Sequence, residues 1–228
     1  CVELYNYCDL GWPVDLEEMN SELLKSVVEN TASDPYIKWN DESLLERIKD
    51  DNVYNVFIFN KDGNHGYFSL LHSLTSNLDE DSIIVELGNR EGLGILSIYD
   101  ALKENQTLYT LDIVDDVRFI GDKIHNDKRV HILNDFDALD TQRIIDTFEK
   151  KSISMIFMDT IHTYEQVLAE YITWKPYLKD DCVMCIDDIR PSMPGRTKWR
   201  FHEELDYTHK YDVTEWAHND TGFGVYMR

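Results

Sequence analysis

The chain has 228 residues, enough for one sizeable core with an N-terminal elaboration. Its 43% hydrophobic and 12% aromatic content excludes wholesale disorder. A formal net charge of −22 repels phosphate backbones and anionic headgroups, so neither nucleic acid nor a membrane is the expected partner.

No apolar run is long enough to span a bilayer, and no basic-then-apolar signal peptide opens the chain. A start at Cys1 fits a piece trimmed from a larger protein. Cys182 and Cys185 form a C-x-x-C inside the apolar run Val183-Met184-Cys185-Ile186. In a strand, residues three apart point to opposite faces, so these are expected to be core cysteines rather than metal ligands or a disulfide. A reducing, cytoplasmic setting is the matching expectation.

Residues 1–78 are expected to form a mainly helical extension, and residues 79–228 the main domain. Leu16, Met19, Leu23, Leu24, Val27 and Val28 recur at helical spacing, and Ser43 to Ile48 is a shorter amphipathic piece. Asp34-Pro35 separates the two. Val53 to Phe59 reads as extended, and Gly63 to Gly66 breaks into a helical pattern ending near Leu78.

From Ser82 the pattern becomes regular. Ile83 to Leu87 is an apolar strand, followed by a glycine-rich turn and a helical run from Ile95 to Leu102. Leu108 to Asp112, Val130 to Leu133, Ile153 to Met158 and Val183 to Ile186 read as four more strands, with a helix over Glu165 to Leu178. Continuous apolar strands alternating with helices predict a parallel α/β sheet covered on both faces. Lys210 to Thr214 and Phe223 to Met227 are also strand-like, but the segment joining them is too short for a parallel crossover. They predict an antiparallel C-terminal hairpin, giving a mostly parallel, seven-stranded sheet.

Glu86-Leu-Gly88-Asn-Arg-Glu-Gly92-Leu-Gly94 lies where the first strand turns into a helix. Glycines permit a sharp turn and close approach to a ligand, and the helix presents free N–H groups. The spacing G-x-x-x-G-x-G is not the G-x-G-x-x-G of nicotinamide binding, which disfavours a pyrophosphate cradle. Asp112, ending the second strand, can accept from both hydroxyls of a ribose, and Asp135 after the third strand from an adenine amino group. A solvated turn carboxylate is the competing role for each, and Asp115, Asp116 and Asp137 lie near enough to exchange places with them.

The strongest constellation is Phe157-Met-Asp159-Thr-Ile-His162 with Met184-Cys-Ile-Asp187-Asp188. Both acidic groups end apolar strands expected to be neighbours about 5 Å apart. Asp159, Asp187 and Asp188 would then share a pocket, which is unfavourable without a cation or proton between them. Oxygen ligands point to a hard ion, Mg2+ first. Asp188 as a cap for the following segment is the alternative. His162, three residues beyond Asp159, could remove a proton from a hydroxyl held there; a structural or surface role competes. Arg190 to Trp199 follows directly and reads either as a loop over the acceptor, with Arg190, Lys198 or Trp199 in contact, or as a surface connection.

At these residues the chain resembles the class I S-adenosylmethionine-dependent O-methyltransferases. Glu86-Leu-Gly88-x-x-x-Gly92 is similar to motif I of the metal-dependent catechol-type enzymes. D-x-x-H followed by D-D is more similar to the macrolide-sugar O-methyltransferases and the cephalosporin-hydroxylase-like branch. The resemblance spans about residues 60–228, and Lys61 to Gly66 looks like the loop closing over the methionine end of the cofactor. It implies a Rossmann-like class I methyltransferase fold and S-adenosylmethionine at Glu86, Gly88, Gly92, Asp112 and Asp135. It further implies Mg2+ or another hard cation at Asp159, Asp187 and Asp188, with His162 as general base. Gly94 departs from the family's usual Ser or Thr. The expected acceptor is a small-molecule hydroxyl, on a natural-product sugar or a catechol-like ring, with self-association into a homo-oligomer left open. The rivals are N-methylation or hydroxylase-like chemistry on the same fold, and a non-catalytic binding module.

Overall fold

The computed structural model describes residues 67–90, 92–117, 120–191, 194–213 and 221–227. The expectations for residues 1–66, including the Lys61 to Gly66 loop, lie outside them.

The chain enters on helix α1 (Tyr67–Asn77) and then alternates strands and helices. Strand β1 (Ile83–Leu87) leads into α2 (Leu93–Ala101), β2 (Thr107–Leu111) into the short α3 (Asp122–His125), and β3 (Val130–Leu133) into α4 (Thr141–Thr147). Strand β4 (Ile153–Met158) leads into α5 (Tyr164–Trp174), which tightens into a 3-10 turn at Lys175–Tyr177 around Pro176. Strand β5 (Leu178–Asp187), α6 (Lys198–Glu204), β6 (His209–Asp212) and β7 (Phe223–Met227) complete the domain.

The seven strands lie in the order β3-β2-β1-β4-β5-β7-β6. Strands β1 to β5 pair in parallel, whereas β7 runs antiparallel to both β5 and β6. The predicted parallel sheet and terminal hairpin are therefore both present, and the hairpin is inserted with β7 inward. The direction of winding reverses between β1 and β4, and ligands of open α/β sheets bind in the crevice outside such a point.

Side chains along each strand alternate between two cores. Met155, Phe157, Val183 and Cys185 face the core built with Leu70, Leu71 and Leu74 of α1 and Ile95 and Ile98 of α2. Ile156, Met158, Met184 and Ile186 face the core built with Ile144 of α4 and Val167, Tyr171 and Trp174 of α5. Cys182 and Cys185 are free and buried, one in each core, which is the opposite-face arrangement that strand geometry requires. Among the described residues no helix is long and apolar enough to cross a membrane.

Three helices escaped the sequence reading. Helices α3 and α4 are too short to show a full amphipathic period, although Asp140 accepts from the Arg143 amide and so caps α4. Helix α6 begins inside the stretch read as a loop or surface connection. Its first residue, Lys198, is completely buried. Arg190, also named there, pairs instead with Asp212 of β6 at 3.0 Å.

Candidate active site

The glycine-rich turn follows from two close approaches. Gly88 has φ +88°, and a Cβ there would overlap the Asp159 carbonyl. Its amide donates to the Leu111 carbonyl at 2.9 Å, while the Asp159 amide donates to the Leu87 carbonyl at 2.8 Å. Gly92, φ +99°, starts α2 in the left-handed region that glycine adopts without steric cost. These contacts draw the ends of β1, β2 and β4 together.

Asp112 braces this turn from β2. One carboxylate oxygen accepts from the Arg90 amide at 2.8 Å and the other from the Val114 amide at 3.0 Å. Asp135, exposed and at φ +56°, lies on the next loop, where the Phe136 amide donates to the Asp112 carbonyl at 2.9 Å. The two acids expected at a nucleoside thus stand on adjoining loops at the carboxyl edge of the sheet.

Glu86 sits lower, fully buried beneath the turn, and accepts from the Thr110 hydroxyl at 2.7 Å. Burial, with repulsion from Asp159 and Asp112 outweighing that hydrogen bond, pushes its carboxyl up to about 8. A Cβ on Gly94 would overlap this carboxyl. The glycine that replaces the family's usual Ser or Thr is therefore the residue that makes room for Glu86. Asn89, which the sequence reading passed over, is buried in the same turn, with neither its amide nitrogen nor its amide oxygen partnered. Its position between two glycines of the motif was the available signal.

The acidic edge lies across the crevice. Ligand atoms of Asp159, His162 and Asp188 are all within 4.8 Å of one another. Asp187 is outside that triad but close behind it. Burial and then repulsion from Asp159 and Asp188 hold its carboxyl well above the usual range. Asp159 is also raised, chiefly by burial, with Lys198 and His162 opposing. Burial works against ionisation of Asp188 too, but hydrogen bonds from His162 and Thr221 prevail and hold its carboxyl low. One Asp188 oxygen contacts His162 Nδ1, and the other takes the Arg196 guanidinium at 2.5 Å.

Local sequence explains how His162 is held. Thr163 caps α5 by accepting from the Gln166 amide, a T-x-x-Q start that fixes the loop one residue beyond the histidine. The Thr197 amide donates to the His162 carbonyl at 2.9 Å, and the Tyr164 amide donates to the Thr197 hydroxyl at 2.7 Å. The loop after β4 and the start of α6 are stitched together by one threonine.

A reversing parallel sheet with an antiparallel terminal hairpin is the layout of the class I methyltransferase fold. Residues 85–189 match the family model described as a methyltransferase domain. No curated protein matches the sequence. The chain is similar to the O-methyltransferase from Bacillus cereus solved with SAH, at 13% identity and TM-score 0.59 over 82% of this chain and 96% of that one. It is also similar to the O-methyltransferase TomG from Streptomyces achromogenes, involved in tomaymycin synthesis and solved with SAM. There the values are 17% identity and TM-score 0.56 over 78% and 90% of the two chains. A methyltransferase from Geobacter sulfurreducens aligns at 15% identity and TM-score 0.58 over 78% and 89%. At such identities the likeness is one of fold.

Proposed function

We propose that the protein is an S-adenosylmethionine-dependent O-methyltransferase that deprotonates a small-molecule hydroxyl beside a divalent cation. The observation that carries this reading is the convergence of Asp159, His162 and Asp188 directly across from the glycine turn, with Gly88 against the Asp159 carbonyl.

The methyl donor fits the first half of the crevice. Asn89 presents a buried, unpartnered amide, and a buried polar group without partners is costly unless a ligand completes it. Gly88 and Gly92 open the backbone, Asp112 and Asp135 face a nucleoside from β2 and β3, and Glu86 supports the turn from below. Bound there, the cofactor supplies an electrophilic methyl group.

The cation fits the second half. Asp159 and Asp188 would hold it with Asp187 behind, and it would supply charge that lowers the pKa of a hydroxyl. Oxygen ligands from carboxylates suit Mg2+ or Mn2+. Asp188 turns one edge of His162 inward, and a proton kept on Nδ1 leaves Nε2 able to accept one. His162 is then the general base, held in orientation by Asp188 and by the Thr163 and Thr197 contacts. The acceptor class that matches is a sugar hydroxyl or a catechol-like ring of a natural product.

Calorimetry with S-adenosylmethionine, with and without Mg2+ or Mn2+, followed by a labelled-methyl assay on both acceptor types, tests the proposal. Binding of the donor and chelator-sensitive transfer to oxygen are expected. Absence of donor binding would overturn the whole reading; full activity in chelator would remove the cation from it, and label on nitrogen would remove the hydroxyl.

A further inference from the structure

Asn89 is 3% exposed, and among the described residues neither the nitrogen nor the oxygen of its side-chain amide has a partner. Buried amides are ordinarily hydrogen-bonded, and each group left unpaired costs free energy. An asparagine in a turn commonly bonds to the backbone two residues on, but here the turn is closed by other groups. The Gly92 amide donates to the main-chain carbonyl of Asn89 at 2.7 Å, and the Gly88 amide to the Leu111 carbonyl at 2.9 Å. The Arg90 amide donates to Asp112 at 2.8 Å. The turn is complete without the Asn89 side chain.

Backbone contacts fix where Asn89 lies along the crevice. The residue before it, Gly88, packs against the Asp159 carbonyl just beyond β4, and the residue after it is bonded to Asp112 just beyond β2. With the sheet ordered β3-β2-β1-β4, a nucleoside held by Asp135 and Asp112 lies over β3 and β2, and the rest of its molecule reaches Asn89. In the methyl donor that remainder is an amino acid, whose ammonium donates hydrogen bonds and whose carboxylate accepts them. A primary amide offers an acceptor oxygen and a donor nitrogen side by side, so it matches both halves of a zwitterion. A carboxylate or a guanidinium buried at this position would match one half and oppose the other.

We propose that Asn89 reads the amino-acid end of the donor, its amide nitrogen donating to the carboxylate and its amide oxygen accepting from the ammonium. The inference rests on the donor half of the reading above and assigns a part of that ligand to a position the E-L-G-x-x-x-G motif leaves open. A merely structural residue, when replaced, weakens every ligand of the crevice alike. Loss of the Asn89 amide should instead weaken only ligands that carry the amino acid. For two hydrogen bonds to charged groups the loss should be on the order of a hundredfold.

The test is calorimetry of the full chain, unaltered and as Asn89→Leu, with S-adenosylhomocysteine and with 5′-methylthioadenosine. The two probes share the nucleoside and the sulfur, neither bears the sulfonium charge, and only the first carries the amino acid. The variant should bind S-adenosylhomocysteine about a hundredfold more weakly and methylthioadenosine with its affinity unchanged. Equal losses for both probes would put Asn89 at the nucleoside or in a structural role, and no loss for either would leave its amide to a buried water; each result overturns the proposal. Equal affinity of the unaltered protein for the two probes overturns it as well while sparing the donor reading, whereas binding of neither overturns both. Should Asn89→Leu fail to fold, the side-chain amide 15N resonance of Asn89 in the unaltered protein decides the matter. S-adenosylhomocysteine should shift it more than methylthioadenosine does; equal shifts, or none, would overturn the proposal.

Discussion

The two halves of the crevice are built on different physics. At the ends of β1 to β3 the glycine turn is held by backbone hydrogen bonds and by close approaches that only glycine permits, and charge enters mainly through Asp112 as an acceptor of amides. At the end of β5 Asp188 also stands at positive φ, +63°, but what marks this edge is charge: its carboxylate takes the Arg196 guanidinium from a later segment. Under the proposed function the first half would be a shape that a ligand completes, and the second a charge balance that a ligand shifts. Changes to the first should act through fit, and changes to the second through sign and pH.

The largest effect expected in the charged half is that of His162→Ala. As general base it should cost roughly a hundredfold to ten-thousandfold in kcat, with donor binding unchanged by calorimetry. The same variant decides whether the imidazole is a base or an ion ligand. A base leaves Mn2+ affinity near its original value, whereas a ligand carries affinity down together with rate.

The shape half should break at Gly88. A Cβ there meets the Asp159 carbonyl backbone, and the φ of +88° is strained for any other residue. Gly88→Ala should lower stability by about 3 kcal/mol in chemical denaturation and abolish donor binding where the fold survives. A stability loss below 1 kcal/mol with donor binding intact would show that the two strand ends are not in the close contact described.

These two halves also differ in how far the sequence discloses them. The five parallel strands, the hairpin and the strand-end acids follow from periodicity and from the length of the final connection, because each is a local property. Asp159, His162 and Asp188 are legible for the same reason: each stands at or just beyond a strand end, and parallel pairing brings strand ends together. Arg196 was not legible as a partner of those acids. Nothing in Pro191 to Trp199 announces that Thr197 will bond to the His162 loop, or that a lysine at a helix start will be buried. Gly94 was legible only as a departure; its reason, the Glu86 carboxyl, is a contact between strand and helix that spacing does not reveal.

Glu86 links the halves and gives the smallest of these effects. Its carboxyl titrates near 8 in the folded protein, against an ordinary value of 4.5, so between those values the folded state binds more protons than the unfolded one. Stability must then fall as pH rises through that window, the opposite of a salt-bridged carboxylate. Glu86→Gln keeps a neutral group beside the Thr110 hydroxyl and removes the titration. Below pH 4.5 the variant should match the original protein closely, and by pH 6 it should be the more stable by about 2 kcal/mol. Denaturation midpoints measured across that range check this, and parallel curves for the two proteins would mean that Glu86 is ionised in the fold. A cationic donor bound above Glu86 should flatten the slope of the original protein, because a nearby positive charge favours the carboxylate. That response would tie the buried acid of the shape half to the electrostatics of the reaction.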